Sequence, residues 1–85
     1  MQNPTSGTVY PKLLNTRARR ALYDNLGKDE QLAIAVDAAI QQTKKDGWRG
    51  NRIKERELRY AIQKVLQEET LVNQIFELVK NQDEY

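Results

Sequence analysis

The sequence predicts an all-α fold, a compact bundle of about four helices preceded by a flexible N-terminal arm. Apolar residues recur at helical spacing in successive segments, and no segment alternates apolar and polar residues as a half-buried strand does. The connections are short, which favours antiparallel neighbours in a bundle. With 85 residues, 39% of them hydrophobic and 31% charged, the composition is that of a single globular domain.

Residues 1–12 are predicted to form an extended arm or linker. This segment holds both prolines, and a proline after Tyr10 disfavours helical backbone at that tyrosine. The helical domain is therefore expected to span residues 13–85.

The first helix is expected to begin at Asn15 or Thr16, since either side chain can accept a hydrogen bond from the free amides of the first turn. Gly27 is expected to end the helix in the left-handed conformation. Arg20 and Asp24 are four residues apart and are predicted to pair weakly on the outer face. The inward stripe comprises Ala18, Ala21, Leu22 and Leu26.

The second helix is the most apolar segment, and we expect it at the centre of the bundle. Asp29 is its predicted N-cap, and Lys44 and Lys45 are expected in its last turn, where cations are favoured. Its predicted inward residues are Leu32, Val36, Ala39, Ile40 and Thr43, flanked by Ala33, Ile34, Ala35 and Ala38.

Residues 46–51 break the helical pattern with two glycines around Trp48, and a third helix is predicted from about Arg52 to Leu66. Glu55 and Arg59 have the spacing of an ion pair on one helix face. The predicted inward residues are Leu58, Ala61, Ile62, Val65 and Leu66.

A turn around residues 67–69 precedes the fourth predicted helix. Its apolar residues follow a helical stripe, comprising Leu71, Val72, Ile75, Phe76, Leu78 and Val79. The last three residues, Asp83, Glu84 and Tyr85, are expected to be a solvated end.

Composition argues against catalysis in this domain. There is no cysteine and no histidine, and the sequence contains neither a phosphate-binding loop nor a dinucleotide-binding glycine motif. We therefore expect no catalytic residue, no metal site, no cofactor and no small-molecule substrate. We also expect a cytoplasmic protein with no membrane partner, since no apolar run approaches the roughly 20 residues of a membrane span.

Charge is unevenly distributed along the chain. Residues 48–66 hold six basic and two acidic side chains, whereas residues 67–85 hold one basic and five acidic side chains. Such polarity can orient a partner even though the net charge is only +2. The candidate contact residues for a protein or DNA partner are Trp48, Arg49, Arg52, Arg56, Arg59 and Tyr60, with Arg17 and Arg20 as a weaker patch.

Each candidate has a structural alternative. Trp48 beside guanidinium groups is suited to stacking on a base, but a single tryptophan is usually buried, so we favour core packing for it. Arg52, Arg56 and Tyr60 are four residues apart and are expected to share one exposed edge of the third helix. For the arginines, a solvated face and a contact surface both remain open.

Three stretches of the sequence carry a family resemblance. They are residues 14–26 (LNTRARRALYDNL), residues 46–51 (DGWRGN) with Lys54, Glu55 and Arg56 after them, and residues 77–85 (ELVKNQDEY). They resemble the C-terminal region of the R subunit of type I restriction-modification enzymes. The similarity covers residues 13–85, and the order and spacing of the stretches carry most of it. Gly47 stands where an acidic residue is expected in that family.

The resemblance implies a helical end of a larger ATP- and Mg²⁺-dependent DNA translocase and nuclease, whose catalytic residues would lie upstream. It implies docking onto the modification (methyltransferase) subunit of the same complex, which is our leading expectation. The alternative is contact with duplex DNA backbone through the basic third helix. A free-standing regulator that inserts this helix into a major groove is disfavoured, because the preceding glycine-rich turn is long.

Overall fold

The computed structural model of the chain describes residues 10–85, and these contain four α-helices. The predicted all-α bundle is confirmed, and the first nine residues of the predicted arm lie outside the described residues. The helices are α1 (Arg17–Asn25), α2 (Glu30–Thr43), α3 (Arg52–Leu66) and α4 (Glu69–Lys80).

Side-chain caps begin the first three helices. Thr16 Oγ1 accepts a hydrogen bond from the Arg19 amide at 3.1 Å, so Thr16, and not Asn15, caps α1. Asp29 caps α2 as predicted, accepting from the Leu32 amide at 3.0 Å. Asn51 caps α3 in the same way. These short polar side chains satisfy amides that have no partner within the helix.

Left-handed backbone follows two of the helices. Gly27, with φ of +69°, lies after α1 as predicted, and Gln67, with φ of +56°, ends α3. Glu68 then caps α4, accepting from the Leu71 amide at 3.0 Å. Two residues therefore suffice to reverse the chain between α3 and α4.

The C-terminus of α2 differs from the prediction. The helix ends at Thr43, and Lys44 has extended backbone, so neither Lys44 nor Lys45 lies in its last turn. Instead, Lys44 Nζ lies 5.8 Å from the ring centroid of Tyr85. The lysine thus interacts with an aromatic face and not with the carbonyl groups of the helix end.

The four helices form a ring. α1 packs against α2 and α4, and α3 packs against the same two helices. The expectation that α2 lies at the centre is therefore wrong, because each helix has two neighbours and Ala35 and Ala38 of α2 face solvent. The buried hydrophobic residues are Leu14, Ala18, Leu22, Leu26, Ala33, Val36, Ile40, Trp48, Leu58, Ile62, Val72, Ile75, Phe76, Val79 and Tyr85.

Tyr10, the single aromatic residue of the predicted arm, packs on α1. Its ring meets that of Tyr23 edge-on at 5.8 Å, and its hydroxyl donates to the Asp24 carboxylate at 2.7 Å. This hydrogen bond raises the pKa of the Tyr10 phenol. Asp24 also lies 3.9 Å from Lys28 Nζ, and the predicted Arg20–Asp24 ion pair is not present between these two described residues.

Candidate functional site

Trp48 belongs to the α2–α3 connection, and its side chain lies in the hydrophobic core. Its side chain is 3% exposed, and its ring is tilted against Phe76 at a centroid distance of 6.5 Å. The indole nitrogen has no hydrogen-bond partner among the described residues. A ring in this position packs against the core, and stacking on a nucleic-acid base would require it to leave the core.

Arg49 is used within the fold. Its guanidinium group lies over the Trp48 ring, 4.5 Å from the centroid. Its Nε donates to the carbonyl of Lys80 at 3.0 Å, and Nη1 donates to the main-chain oxygen of Tyr85 at 3.2 Å. Nη2 donates to the carbonyl of Gln82. Arg49 therefore fastens the chain after α4 to the α2–α3 connection.

The outer edge of α3, which we define as Arg52, Ile53, Arg56 and Tyr60, faces solvent. Ile53 is 69% exposed and Tyr60 is 59% exposed. Within residues 10–85, no hydrogen bond or ion pair involves the guanidinium groups of Arg52 and Arg56. The predicted exposed edge of Arg52, Arg56 and Tyr60 is thus present. Ile53 is a further exposed side chain on this edge, an apolar one that was not among the predicted contact residues.

Arg59 does not belong to this edge. Its side chain is half-buried and donates to the amide oxygen of Asn73, which links α3 to α4. The predicted Glu55–Arg59 pair is absent from the described ion pairs: Glu55 accepts from the Gly50 amide at 2.6 Å and lies 3.9 Å from Lys80 Nζ. Tertiary partners have replaced the local pair.

A groove between α2 and α3 borders the outer edge. Its lining includes Tyr60 and Lys64, together with the half-buried Ala39, Ala61 and Val65. Lys64 Nζ lies over the Tyr60 ring at 4.9 Å from the centroid. The groove and the outer edge therefore form one continuous surface, with Tyr60 belonging to both.

Basic charge on this surface is only partly neutralised. Glu57, the acidic residue of the groove, pairs with Lys45 at an Nζ–Oε1 distance of 3.2 Å. Lys64, Arg52 and Arg56 make no ion pair with any residue the structure describes. Exposed cations without internal partners favour contact with a negatively charged surface.

The weaker basic patch on α1 is divided between separate contacts. Arg17 pairs with Asp83 at 3.1 Å, and both side chains are largely exposed. Arg20 donates from Nε to the carbonyl of Leu14 at 2.8 Å, and its guanidinium group lies over the Tyr10 ring. Both arginines thus have partners inside the domain.

The segment after α4, residues 81–85, packs on the domain, and the expected solvated end is wrong for Tyr85. This tyrosine is 8% exposed, and its hydroxyl donates to the Asp37 carboxylate at 2.5 Å. Arg19 Nε donates to the other oxygen of Asp37 at 3.0 Å. Burial, together with the hydrogen bond to Asp37, raises the pKa of the Tyr85 phenol strongly. The sequence signal for this contact is Asp37 itself, the single acidic residue of α2 beyond its first turn.

A second contact joins this segment to α1. Glu84 Oε1 accepts a hydrogen bond from the Ala18 amide at 2.6 Å, one of the first-turn amides that α1 itself leaves without a partner. Residues 81–85 therefore contact α1, α2 and the α2–α3 connection. Their hydrogen bonds to Arg17 and Ala18 add to the packing of α4 against α1.

Neither a metal cluster nor a membrane span is found in the described residues. Residues 10–85 contain no group of three acidic side chains arranged to hold a metal ion. Over the same range, no helix has both the length and the apolar character that crossing a membrane requires. No family model, curated protein or solved structure matches the chain, so its resemblance to the R subunit of type I restriction-modification enzymes stays a prediction.

Proposed function

We propose that this chain is a non-catalytic docking module that binds another protein through the outer edge of α3. The observation that carries the proposal is the pair of exposed arginines, Arg52 and Arg56, flanked by the exposed side chains of Ile53 and Tyr60. Arginine and aromatic residues are enriched where protein interfaces gain most of their binding energy. The resemblance adds the identity of the partner, the modification subunit of a type I restriction complex.

The mixture of charge and apolar surface distinguishes this edge from a plain solvated face. Ile53 is the most exposed of the large hydrophobic residues described, and it shares this edge with the exposed Tyr60, so the apolar surface here is a pair of side chains and not one isolated residue. Tyr60 lies two turns further along the same side. Arg56, between them, supplies a planar donor that can bind a carboxylate with two hydrogen bonds.

Contact with duplex DNA is the second candidate. It is supported by Arg52, Arg56 and Lys64, which make no ion pair with any described residue. The apolar part of the edge favours protein over DNA. Ile53 has no hydrogen-bonding group for a phosphate, and the nearby acid Glu57 is paired with Lys45. A protein surface can use both the apolar and the charged side chains.

A pull-down against the cognate modification subunit, with and without a nonspecific DNA duplex, tests the proposal. We expect retention without DNA that survives moderate salt, because an interface with an apolar centre depends weakly on salt. Phosphate contacts instead give a steep decline of affinity with salt. Binding to duplex alone, with that steep decline, would replace docking by the DNA function.

Charge reversal maps the face. Arg56→Glu is expected to weaken retention of the subunit about tenfold or more, in the range of a lost charge-assisted contact. Lys12→Glu is the matched control, since it makes the same change of charge at an exposed position outside the helices. Equal effects of the two variants would mean that only the total charge matters and would remove α3 from the proposal.

A further inference from the structure

We infer that the groove between α2 and α3, together with the outer edge of α3, receives an acidic amphipathic helix of the partner protein. This inference rests on the proposed docking function and specifies the chemistry of what docks.

The shape of the groove favours a helix as the occupant. On the α3 side its lining runs from Glu57 to Val65, about 12 Å along the axis at 1.5 Å per residue. The half-buried Ala39 and Ala61 have short side chains, which let a third helix approach two packed helices closely. A groove between two helices is the site in which an apolar helix face commonly docks.

The anchors on α3 have a matching repeat. Ile53 and Tyr60 are seven residues apart, two helical turns, with Arg56 between them on the same side. Side chains at this spacing interdigitate with a partner helix that repeats its own apolar residues every three or four positions. A partner with leucine-like residues at that spacing would cover both Ile53 and the Tyr60 ring.

Charge determines the polar face of the occupant. Lys64 lines the groove, and Arg52 and Arg56 lie on the adjoining outer edge of α3. None of the three makes an ion pair with a described residue, and Glu57 is already paired with Lys45. A helix with glutamate or aspartate beside its apolar stripe neutralises these three cations, whereas a basic helix meets uncompensated repulsion. Duplex DNA supplies the negative charge but nothing that fills the apolar floor of Ala39, Ala61 and Val65.

The test uses the full chain, labelled with ¹⁵N, and a synthetic acidic amphipathic peptide with leucine at positions i, i+3, i+4 and i+7. Amide shifts are expected around Ala39, Tyr60, Ala61 and Lys64. A peptide with lysine in place of every acidic residue is expected to bind about tenfold more weakly or worse. Absence of shifts, shifts centred elsewhere, or equal binding of the two peptides would overturn the inference.

Two neighbouring substitutions localise the binding. Ala39→Glu places a carboxylate in the groove and is expected to weaken the acidic peptide about tenfold. Ala38→Glu is the control, because Ala38 is exposed on the other side of α2, near Leu13 and Ile34. Circular dichroism melting of both variants establishes that they fold. Lys64→Glu repeats the test from α3 and should also weaken binding of the acidic peptide. If Ala39→Glu fails to fold, Lys64→Glu still tests the inference.

The outcomes separate this inference from the docking proposal. If the modification subunit binds and the groove variants have no effect, docking stands and the groove is wrong. If the acidic peptide binds in the groove and the modification subunit does not bind, the groove stands and the assigned partner is wrong.

Discussion

Replacing Tyr85 by Phe removes one buried hydroxyl and leaves the ring in place. The hydroxyl donates to Asp37, whose side chain is almost fully enclosed by α1, α2 and residues 81–85. Without it, the Asp37 carboxylate retains Arg19 as its remaining hydrogen-bond donor from the described side chains. Water has little access to the oxygen that is left, because Asp37 is 3% exposed.

The expected loss of unfolding free energy is about 1.5–3 kcal/mol, the range for a hydrogen bond to a charged group. Stability for a chain of this length is on the order of 4–13 kcal/mol, so the loss is a substantial part of the total. A loss of ~2 kcal/mol lowers the melting temperature by roughly 8–16 °C in a domain of this size. The ring of Phe preserves the apolar packing, so the change isolates the hydrogen bond.

Urea unfolding of Tyr85→Phe and of the unmodified chain measures this difference. If the free energy of unfolding falls with urea concentration at the same slope in both, the shift of the midpoint reports the change in stability. Asp83→Asn is the matched control, because it removes an exposed pair with Arg17 whose contribution is expected to lie within about 0–1 kcal/mol. A Tyr85→Phe variant as stable as the control would refute the buried hydrogen bond as a source of stability.

The same two chains test the raised pKa of Tyr85. Because the folded-state pKa lies above the ordinary value of 10.0, the folded chain holds this proton more tightly than the unfolded chain does. The contribution is fully present below the ordinary value and is lost as the pH rises above it. The stability difference between the two chains should therefore shrink above about pH 10, with a slope of at most about 1.4 kcal/mol per pH unit. A difference that stays constant into that range would contradict the assigned protonation.

Three further outcomes are expected from single positions. Arg49→Ala should lower the free energy of unfolding by about 1.5–3 kcal/mol and accelerate amide exchange in residues 81–85. Arg49→Lys should restore only part of this stability, because lysine cannot reach three carbonyl groups at once. Unchanged amide exchange would contradict the role of Arg49 in holding residues 81–85. Gln67→Gly should raise stability by about 1 kcal/mol in thermal melts, since glycine adopts the left-handed backbone without a Cβ penalty, whereas a loss would argue against this geometry. Trp48, the single tryptophan, should show blue-shifted fluorescence that moves to longer wavelength on unfolding, and solvent-exposed emission from the folded chain would place it outside the core.

Local signals predicted much of the fold. The caps Thr16 and Asp29, the left-handed Gly27 and the limits of the third helix all depend on interactions within a few residues, which the sequence displays directly. The exposed edge of α3 follows in the same way, because the four-residue spacing of Arg52, Arg56 and Tyr60 places them on one side of any helix.

Pairings that join distant residues could not be predicted in this way. Arg49 and Arg59 belong to the same basic stretch as Arg52 and Arg56, and nothing local separates them. Only the positions of α4 and residues 81–85 direct Arg49 toward carbonyl groups 31 to 36 residues away, and Arg59 toward Asn73.

The sequence by itself therefore determined the four helices, most of their ends and the side of α3 that faces outward, because periodicity and capping are local. The end of α2 at Thr43 is the exception. The tertiary structure decided which charged side chains pair within the domain and which stay exposed without an ion pair to the described residues. It also decided that Tyr85 is buried, since only the packing of α1 against α2 encloses Asp37 and creates a polar site for its hydroxyl. Burial and pairing depend on the sum of long-range contacts, and these are settled only when the helices assemble.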